Sequence, residues 1–430
     1  MRILIVSPYL PWPLNSGGNA AQFSTLKCLE EDHQFTLVCP VYSEAGVARA
    51  KELQAQLPRV KLQAVFCGES GAKPNPLIQK AGRVVQFGRR LLNSPEKESP
   101  WPDVPYYPFS PLPEKFVEAV NAEVAKGVDV CQAEFAEMLP LGGWFPKEIP
   151  KLFIVHQIHF IYAQRFAEAH GNSSYSDYLK AIMKVEELAY LQGFNGVVTF
   201  SELDRQVLLP WLGPERLFTS PFPIPADVGI ARHLPPSFDG RFLFVASEEN
   251  APNRDALEWA SARIWPKILQ MLPEAKLVVV GRWSEKARAR FAVRGLKFTG
   301  FVKDLSALLR GGIMLVPLRI GSGIRVKILV ALAQGVPVVS TSVGGEGLLL
   351  ADGKELLVRD GEAEFATAAA QLSQNPDMWR RLTVAGRAAV SAHYSAEGVR
   401  QRRNEIYEIL AGAQRNLLPT QHSPSEIAHA

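Results

Sequence analysis

Residues 321–335, GSGIRVKILVALAQG, place Gly321 and Gly323 just before two bases, Arg325 and Lys327, and an apolar helical pattern of Val326, Leu329, Val330 and Ala333. Glycines let backbone N–H groups approach an anion closely, and the N-terminus of the following helix adds partial positive charge. Arg325 and Lys327 add full charges. The set suits a diphosphate, whose negative charge grows as it departs in a transfer reaction. The same residues also suit a tight turn with two solvated bases, and the loop taken alone does not separate these readings.

A second turn follows. After Gly335 comes the apolar run VPVVS and then SVGGEGL, in which Glu346 is placed to accept hydrogen bonds from sugar or ribose hydroxyls beside the backbone N–H groups of Gly347 and Leu348. Helix capping or a plain surface charge is the competing role for Glu346. In open parallel sheets ligands bind beyond the carboxyl ends of the strands, so two Gly-rich turns placed there face one crevice.

The elements that must carry these loops are short apolar runs bounded by turn residues, alternating with stretches of helical periodicity. That is the pattern of parallel strands buried on both faces. The runs are Ile3 to Val6, Phe35 to Cys39, Val60 to Phe66, Val128 to Ala133, Leu152 to Val155 and Gly196 to Phe200, then Phe242 to Ala246, Lys276 to Val280, Lys297 to Phe298, Ile313 to Val316, Val336 to Ser340 and Glu355 to Val358. Two α/β domains follow, in keeping with a chain of 430 residues, too long for one ordinary core. The proline-dense stretch Pro210 to Pro236 is expected to exclude helix and strand interiors. The first domain is therefore set at 1–220, the linker at 221–238 and the second domain at 239–395. A C-terminal helix over 396–413 is expected to pack back towards the first domain, ahead of a disordered tail at 414–430.

Residues 71–112 break the rhythm and read as an insertion. Within them 77–92 form a basic amphipathic pattern that would either lie on an anionic membrane surface or pack on the first domain. The composition is ordinary for a globular protein, with 47% apolar and 21% charged residues. A net charge of +4, spread along the chain, gives no block announcing nucleic acid. The four cysteines, Cys28, Cys39, Cys67 and Cys131, contain no C-x-x-C pair and are expected reduced and buried. The N-terminal apolar run is too short for a signal peptide, so a cytoplasmic protein is expected, with peripheral contact to the inner face of the plasma membrane through 77–92.

The segments FLFVASEENAPNRDALEWASARIWPKI, AKLVVVG, FTGFVKDLSALLRGGIMLVPLRIGSGIRVKILVALAQGVPVVSTSVGGEGL and DGKELLV, which cover most of residues 241–358, resemble family-four glycosyltransferases of the GT-B fold. The first half is similar more loosely, through its first strand, PLNSGGNAAQF and VVTFSELD. The resemblance implies two Rossmann-like domains facing a cleft. It further implies transfer of a sugar from a nucleoside diphosphate sugar to an acceptor hydroxyl, with retention of configuration and no metal or other cofactor. A bacterial polysaccharide or glycoconjugate pathway, with a glycan or lipid-linked glycan acceptor, is the expected setting.

On that resemblance Arg325, Lys327 and the backbone at Ser322 and Gly323 match positions that stabilise the departing diphosphate. Arg254 falls where many members place a phosphate-binding lysine, and Gly281 and Arg282 fall near the base and ribose pocket. Gly17 and Gly18 match a loop that lies against the donor. His156, with Gln157 and His159 as neighbours, matches a histidine beside the transferred sugar, and with Arg325 and Lys327 it makes the expected catalytic set. One departure stands out. The family's two glutamates, eight positions apart, are here Ser322 and Val330. Valine cannot accept a hydrogen bond, and a buried hydroxyl left unpaired costs roughly 1 to 3 kcal/mol. A catalytically silent nucleotide-sugar or glycan-binding protein of the same fold is therefore the alternative. A dinucleotide enzyme is disfavoured because SPYLPWPLNSGG lacks the G-x-G-x-x-G spacing.

Overall fold

The computed structural model describes residues 1–68, 111–225, 228–234, 237–302 and 305–417. Residues 71–110 of the expected insertion, including the basic pattern at 77–92, and residues 418–430 of the expected tail lie outside the described residues.

Every apolar run named above overlaps a strand. In the first domain these are β1 (Arg2–Val6), β2 (Gln34–Val41), β3 (Lys61–Phe66), β4 (Val130–Glu134), β5 (Lys151–Val155) and β6 (Gly196–Thr199), joined by β7 (Leu217–Thr219). The second domain has β8 (Arg241–Val245), β9 (Lys276–Val280), β10 (Leu296–Gly300), β11 (Ile313–Val316), β12 (Val338–Ser340) and β13 (Leu357–Val358). All strands pair in parallel, with Ile3 of β1 opposite Phe35 of β2 on one side and Val130 of β4 on the other. Ile3, Leu4, Ile5 and Val6 are all essentially fully buried, because helices cover both faces of a parallel sheet.

The first sheet runs β3-β2-β1-β4-β5-β6-β7 and the second β10-β9-β8-β11-β12-β13. The order is the same in both, and it reverses between β1 and β4 and between β8 and β11. Ligands bind at such switch points, outside the carboxyl ends of the strands. The loops after β1, β5 and β6 meet the loops after β11 and β12 across a cleft. The chain is therefore α/β with two Rossmann-like domains.

The first part of the proline-dense stretch holds a helix end and a strand that its composition argues against. Pro210 lies inside the helix Glu202–Leu212. There its missing N–H removes one i→i−4 hydrogen bond, to the Gln206 carbonyl, and the helix ends two residues later. Pro214 and Pro221 flank the three-residue β7 without entering it, and a short edge strand tolerates that. The C-terminal helix spans Ala396–Leu417, so residues 414–417 continue it instead of starting a tail. It packs on the first domain: Arg400 pairs with Asp32, Asn404 Nδ2 donates to Asp32 (2.8 Å), and Arg402 Nε donates to the Thr219 carbonyl (3.1 Å). Cys39 and Cys131 are buried as expected, whereas Cys28 and Cys67 are only half-buried. Among the described residues, no helix is long and apolar enough to cross a membrane.

Candidate active site

After β11 the chain turns through Gly321 (φ 131°) and Gly323 (φ 76°), conformations that L side chains rarely adopt. Gly323 is needed for a second reason. A Cβ there would lie 2.5 Å from the carbonyl oxygen of His156, in the other domain. Ser322 between them is buried and clipped to the first domain: its hydroxyl donates to the Ile158 carbonyl (3.0 Å) and accepts from the Ile158 N–H (3.1 Å). The glycine loop thus closes the cleft as well as turning the chain.

Arg325 is the N-cap residue of the helix Val326–Ala333. Its Nη1 donates to the carbonyls of Ser322 and Gly323, while Nε and Nη2 are enclosed without a hydrogen-bond partner among the described residues. Burial lowers its pKa to about 10. Two residues on, Lys327 Nζ donates to Asn253 Oδ1 (3.0 Å) and lies 5.9 Å from the centre of the Phe244 ring. Burial, and then the neighbouring Arg325 charge, bring the Lys327 ammonium down to about 7. Two cations that lack enough countercharge at a helix N-terminus are what an anion site looks like before its anion arrives.

The first domain supplies the facing wall. Gly17 opens the helix Gly17–Leu29, and a Cβ on it would lie 3.2 Å from Val326 Cγ2. A Cβ on Gly18 would lie 2.7 Å from the Phe135 ring and 3.7 Å from His156 Nδ1. His156 stacks on Phe135 with ring centres 3.9 Å apart, and its Nε2 bonds Glu134 Oε2 (2.8 Å). Phe135 itself has φ 68°, which no other non-glycine residue shows a counterpart to among those described. Gly17, Gly18, His156, Ser322, Gly323, Arg325 and Lys327 therefore share one region. His159 does not join them chemically. Its backbone N–H and that of Phe160 bond the buried Glu187 carboxylate at the start of the helix His159–His170, and burial holds its imidazole down to about 4. The same burial pushes Glu187 up to about 7.

Glu346 has a partner that its sequence context does not reveal. Arg165, on the helix His159–His170, donates through Nη1 and Nη2 to both Glu346 oxygens and through Nη1 to the Gly321 carbonyl (2.5 Å). The carboxylate expected to take ribose or sugar hydroxyls is thus engaged across the cleft. The N–H of Leu348, expected to be available, donates to the Gly345 carbonyl (3.3 Å), because the expected turn winds into a helical turn over Ser342–Gly345. Gly347 (φ 71°) abuts Ser201 of the first domain, where a Cβ would meet the Ser201 side chain at 2.8 Å. Asp204, bonded to Ser201 Oγ (2.8 Å), is shifted upwards by burial and by Glu346, against Arg325 and Arg165.

Arg165 and Glu346 keep 19% and 18% of their side-chain surface, so removing one leaves the other half-desolvated. Arg165→Met is expected to lower unfolding free energy by about 2 kcal/mol, between the values for exposed and buried pairs. Arg165→Met combined with Glu346→Gln should recover most of it in urea denaturation. An unchanged midpoint for the single variant would mean that the pair is not held in solution.

Arg254 and Arg282 lie apart from the loop, around an open cleft of about 850 Å³ lined also by Glu248, Ser284 and Phe301, and Gly281 directly precedes Arg282 without lining it. Gly281 (φ 132°) is obligatory, since a Cβ would lie 2.0 Å from the Ala246 carbonyl oxygen. The Arg282 guanidinium sits 5.1 Å from the centre of the exposed Phe301 ring, a cation–π contact beside which a planar ring could pack. Arg254 Nη1 donates to the Glu248 carbonyl (2.8 Å), while Asn253 before it contacts Lys327, so one short stretch of chain borders both regions. Val326 faces Gly17, and Val330, one turn further on the same helix face, is buried. Arg165, Asn253 and Glu134 escape a reading of spacing, since nothing local marks them.

Residues 239–375 match the family described as Glycosyl transferases group 1. An uncharacterized 44.6 kDa protein in the cps region of Klebsiella pneumoniae is 23% identical over 167 residues, covering 36% of this chain and 43% of that protein. The chain thus spans about two fifths of the curated relative it matches. Among solved structures, a Staphylococcus aureus TarM variant in complex with Fondaparinux, alpha-GlcNAc-glycerol and UDP is similar with a TM-score of 0.65 at 14% identity, over 95% of this chain and 100% of that one. Sucrose-phosphate synthase from Thermosynechococcus elongatus gives 0.66 at 15% identity, over 96% and 100%. Anabaena HepE in complex with UDP-glucose gives 0.61 at 14%, over 94% and 99%. The chain is therefore a two-domain protein of GT-B architecture whose residues 239–375 match the Glycosyl transferases group 1 family.

Proposed function

We propose that this protein transfers a sugar from a nucleoside diphosphate sugar to an acceptor hydroxyl, with retention and without a metal, in bacterial polysaccharide or glycoconjugate synthesis. The observation that carries the reading is the under-compensated pair Arg325 and Lys327 at the N-terminus of Val326–Ala333, set at the carboxyl ends of both sheets. Arg282 on Phe301 suits the base. UDP is the first nucleotide to try, since UDP or UDP-glucose is present in the similar TarM and HepE structures. The cps-region relative supports the setting, with a glycan or lipid-linked glycan as acceptor.

In this reading the donor C1–O bond to the diphosphate breaks as the acceptor oxygen bonds C1 on the same face. The acceptor proton passes to the leaving diphosphate oxygen. No carboxylate nucleophile is needed; Arg325 and Lys327 neutralise the growing charge, and the clip between Ser322 and Ile158 excludes water. Isothermal titration with UDP, GDP and ADP, followed by hydrolysis and transfer assays with the matching sugars, tests it. Failure of every nucleoside diphosphate to bind would overturn the reading.

Val330 favours a second reading, a silent binder, because Glu346 is already held by Arg165 and cannot freely replace a carboxylate there. Nucleotide binding without hydrolysis or transfer would support it. Val330→Glu should tighten donor binding about tenfold, the worth of one or two hydrogen bonds to hydroxyls; an unchanged affinity would place position 330 outside the donor site.

A further inference from the structure

Strand β4 is central and otherwise apolar, yet it carries two buried polar side chains on one face, Gln132 and Glu134. Such groups persist only when fully paired. Their partners come from far apart in the chain. The Tyr407 hydroxyl, on the C-terminal helix, bonds Gln132 Oε1 (2.6 Å); Gln132 Nε2 bonds Glu134 Oε1 (2.6 Å); Glu134 Oε2 bonds His156 Nε2 (2.8 Å). Arg403, one helical turn before Tyr407, is also buried, and its Nε and Nη1 have no partner among the described residues. It is close enough to Glu134 for their charges to interact.

The direction of this chain follows from its chemistry. A carboxylate only accepts, so Gln132 must turn its NH2 to Glu134 and its oxygen to Tyr407, and Tyr407 must donate. At the other end His156 must carry a proton on Nε2. That leaves Nδ1 as the nitrogen on the side of Gly18, whose Cβ would lie 3.7 Å from it, and Nδ1 is buried with no hydrogen-bond partner among the described residues.

We propose that Glu134, held by Gln132 and Tyr407, is a positioning residue that fixes His156 in the Nε2–H tautomer. Through it the C-terminal helix presents Nδ1 to the cleft as a hydrogen-bond acceptor for a hydroxyl. The C-terminal helix is thereby part of the site without touching a ligand. The tautomer is independent of the sugar-transfer reading; only the kinetic consequence rests on it.

The test uses the full chain with 15N-labelled histidine, His156 being assigned with His156→Gln. At about pH 8, where an ordinary imidazole is neutral, the wild type should show a protonated Nε2 and a bare Nδ1. Tyr407→Phe, which keeps the ring, should shift His156 towards a mixture of tautomers. It should lower kcat about tenfold, with the donor KM within about twofold, as expected when an orienting partner is lost. Glu134→Gln should do the same more strongly, by about a hundredfold, and leave UDP affinity unchanged. A proton on Nδ1 in the wild type, or an unmoved tautomer in both folded variants, overturns the inference. Correct tautomers in a wild type that transfers no sugar would support it while removing the proposed reaction.

Discussion

Lys327→Met is expected to lower kcat about 10²–10³-fold, the usual cost of removing one preorganised group from the charge that develops in a transition state. Methionine keeps most of the length and apolar volume, so the packing on Phe244 should survive. The accompanying pH effect has a definite sign. Burial and Arg325 bring the Lys327 ammonium to about 7 in the free protein. Burying it therefore costs stability below that pH. The cost is relieved as pH rises from there towards the unfolded value of roughly 10.4. A bound diphosphate works the other way and raises the pKa. Near pH 8, where a terminal phosphate of pKa about 6 is already ionised, UDP binding should take up a proton, and affinity should weaken as pH rises further. Titration calorimetry in two buffers of different ionisation enthalpy reads the uptake. It should vanish in Lys327→Met, and uptake that persists there would remove Lys327 from the anion site.

Gly323→Ala is expected to cost about a hundredfold in kcat/KM, through displacement of the loop on the order of 1 Å from its facing wall. Gly353→Ala provides the control. Gly353 has φ 74°, close to the 76° of Gly323, but a Cβ on it would meet nothing within 4 Å. Both alanines carry the left-handed strain of roughly 1–2 kcal/mol. Only that at 323 also meets a backbone atom of the other domain, 2.5 Å from the added carbon. Comparable loss of stability with loss of activity in Gly323→Ala alone is the expected pattern. Equal activities would show that the approach to His156 has no functional weight.

Some of this was legible in the sequence because the signals are local. Strands buried on both faces must be continuous apolar runs, so both sheets could be traced from composition at a few residues each. β7 could not: three residues between prolines carry no periodicity, and their place beside β6 is set by tertiary pairing. Pro210 misled for a related reason, since the one hydrogen bond that proline removes from a helix is a local cost, and burial of Leu208 and Leu212 on either side of it is tertiary. The glycine loop was legible because Gly321 and Gly323 need conformations that other residues resist. Arg165 was not, because its partners Gly321 and Glu346 lie 156 and 181 residues away. Tyr407, 275 residues from Gln132, was equally hidden.

By itself the sequence determined the two parallel sheets, the glycine loop, and the presence of two bases where a helix begins. Those features depend on backbone freedom and on the order of apolar and polar residues along the chain. Only the tertiary structure decided the electrical state of the site: that Lys327 is brought down to about 7, that Glu346 is occupied by Arg165, and that His156 is held by Glu134. The physical reason is that charge energies depend on distance and on exclusion of water. Here both are set by residues that meet only when the two domains and the C-terminal helix come together.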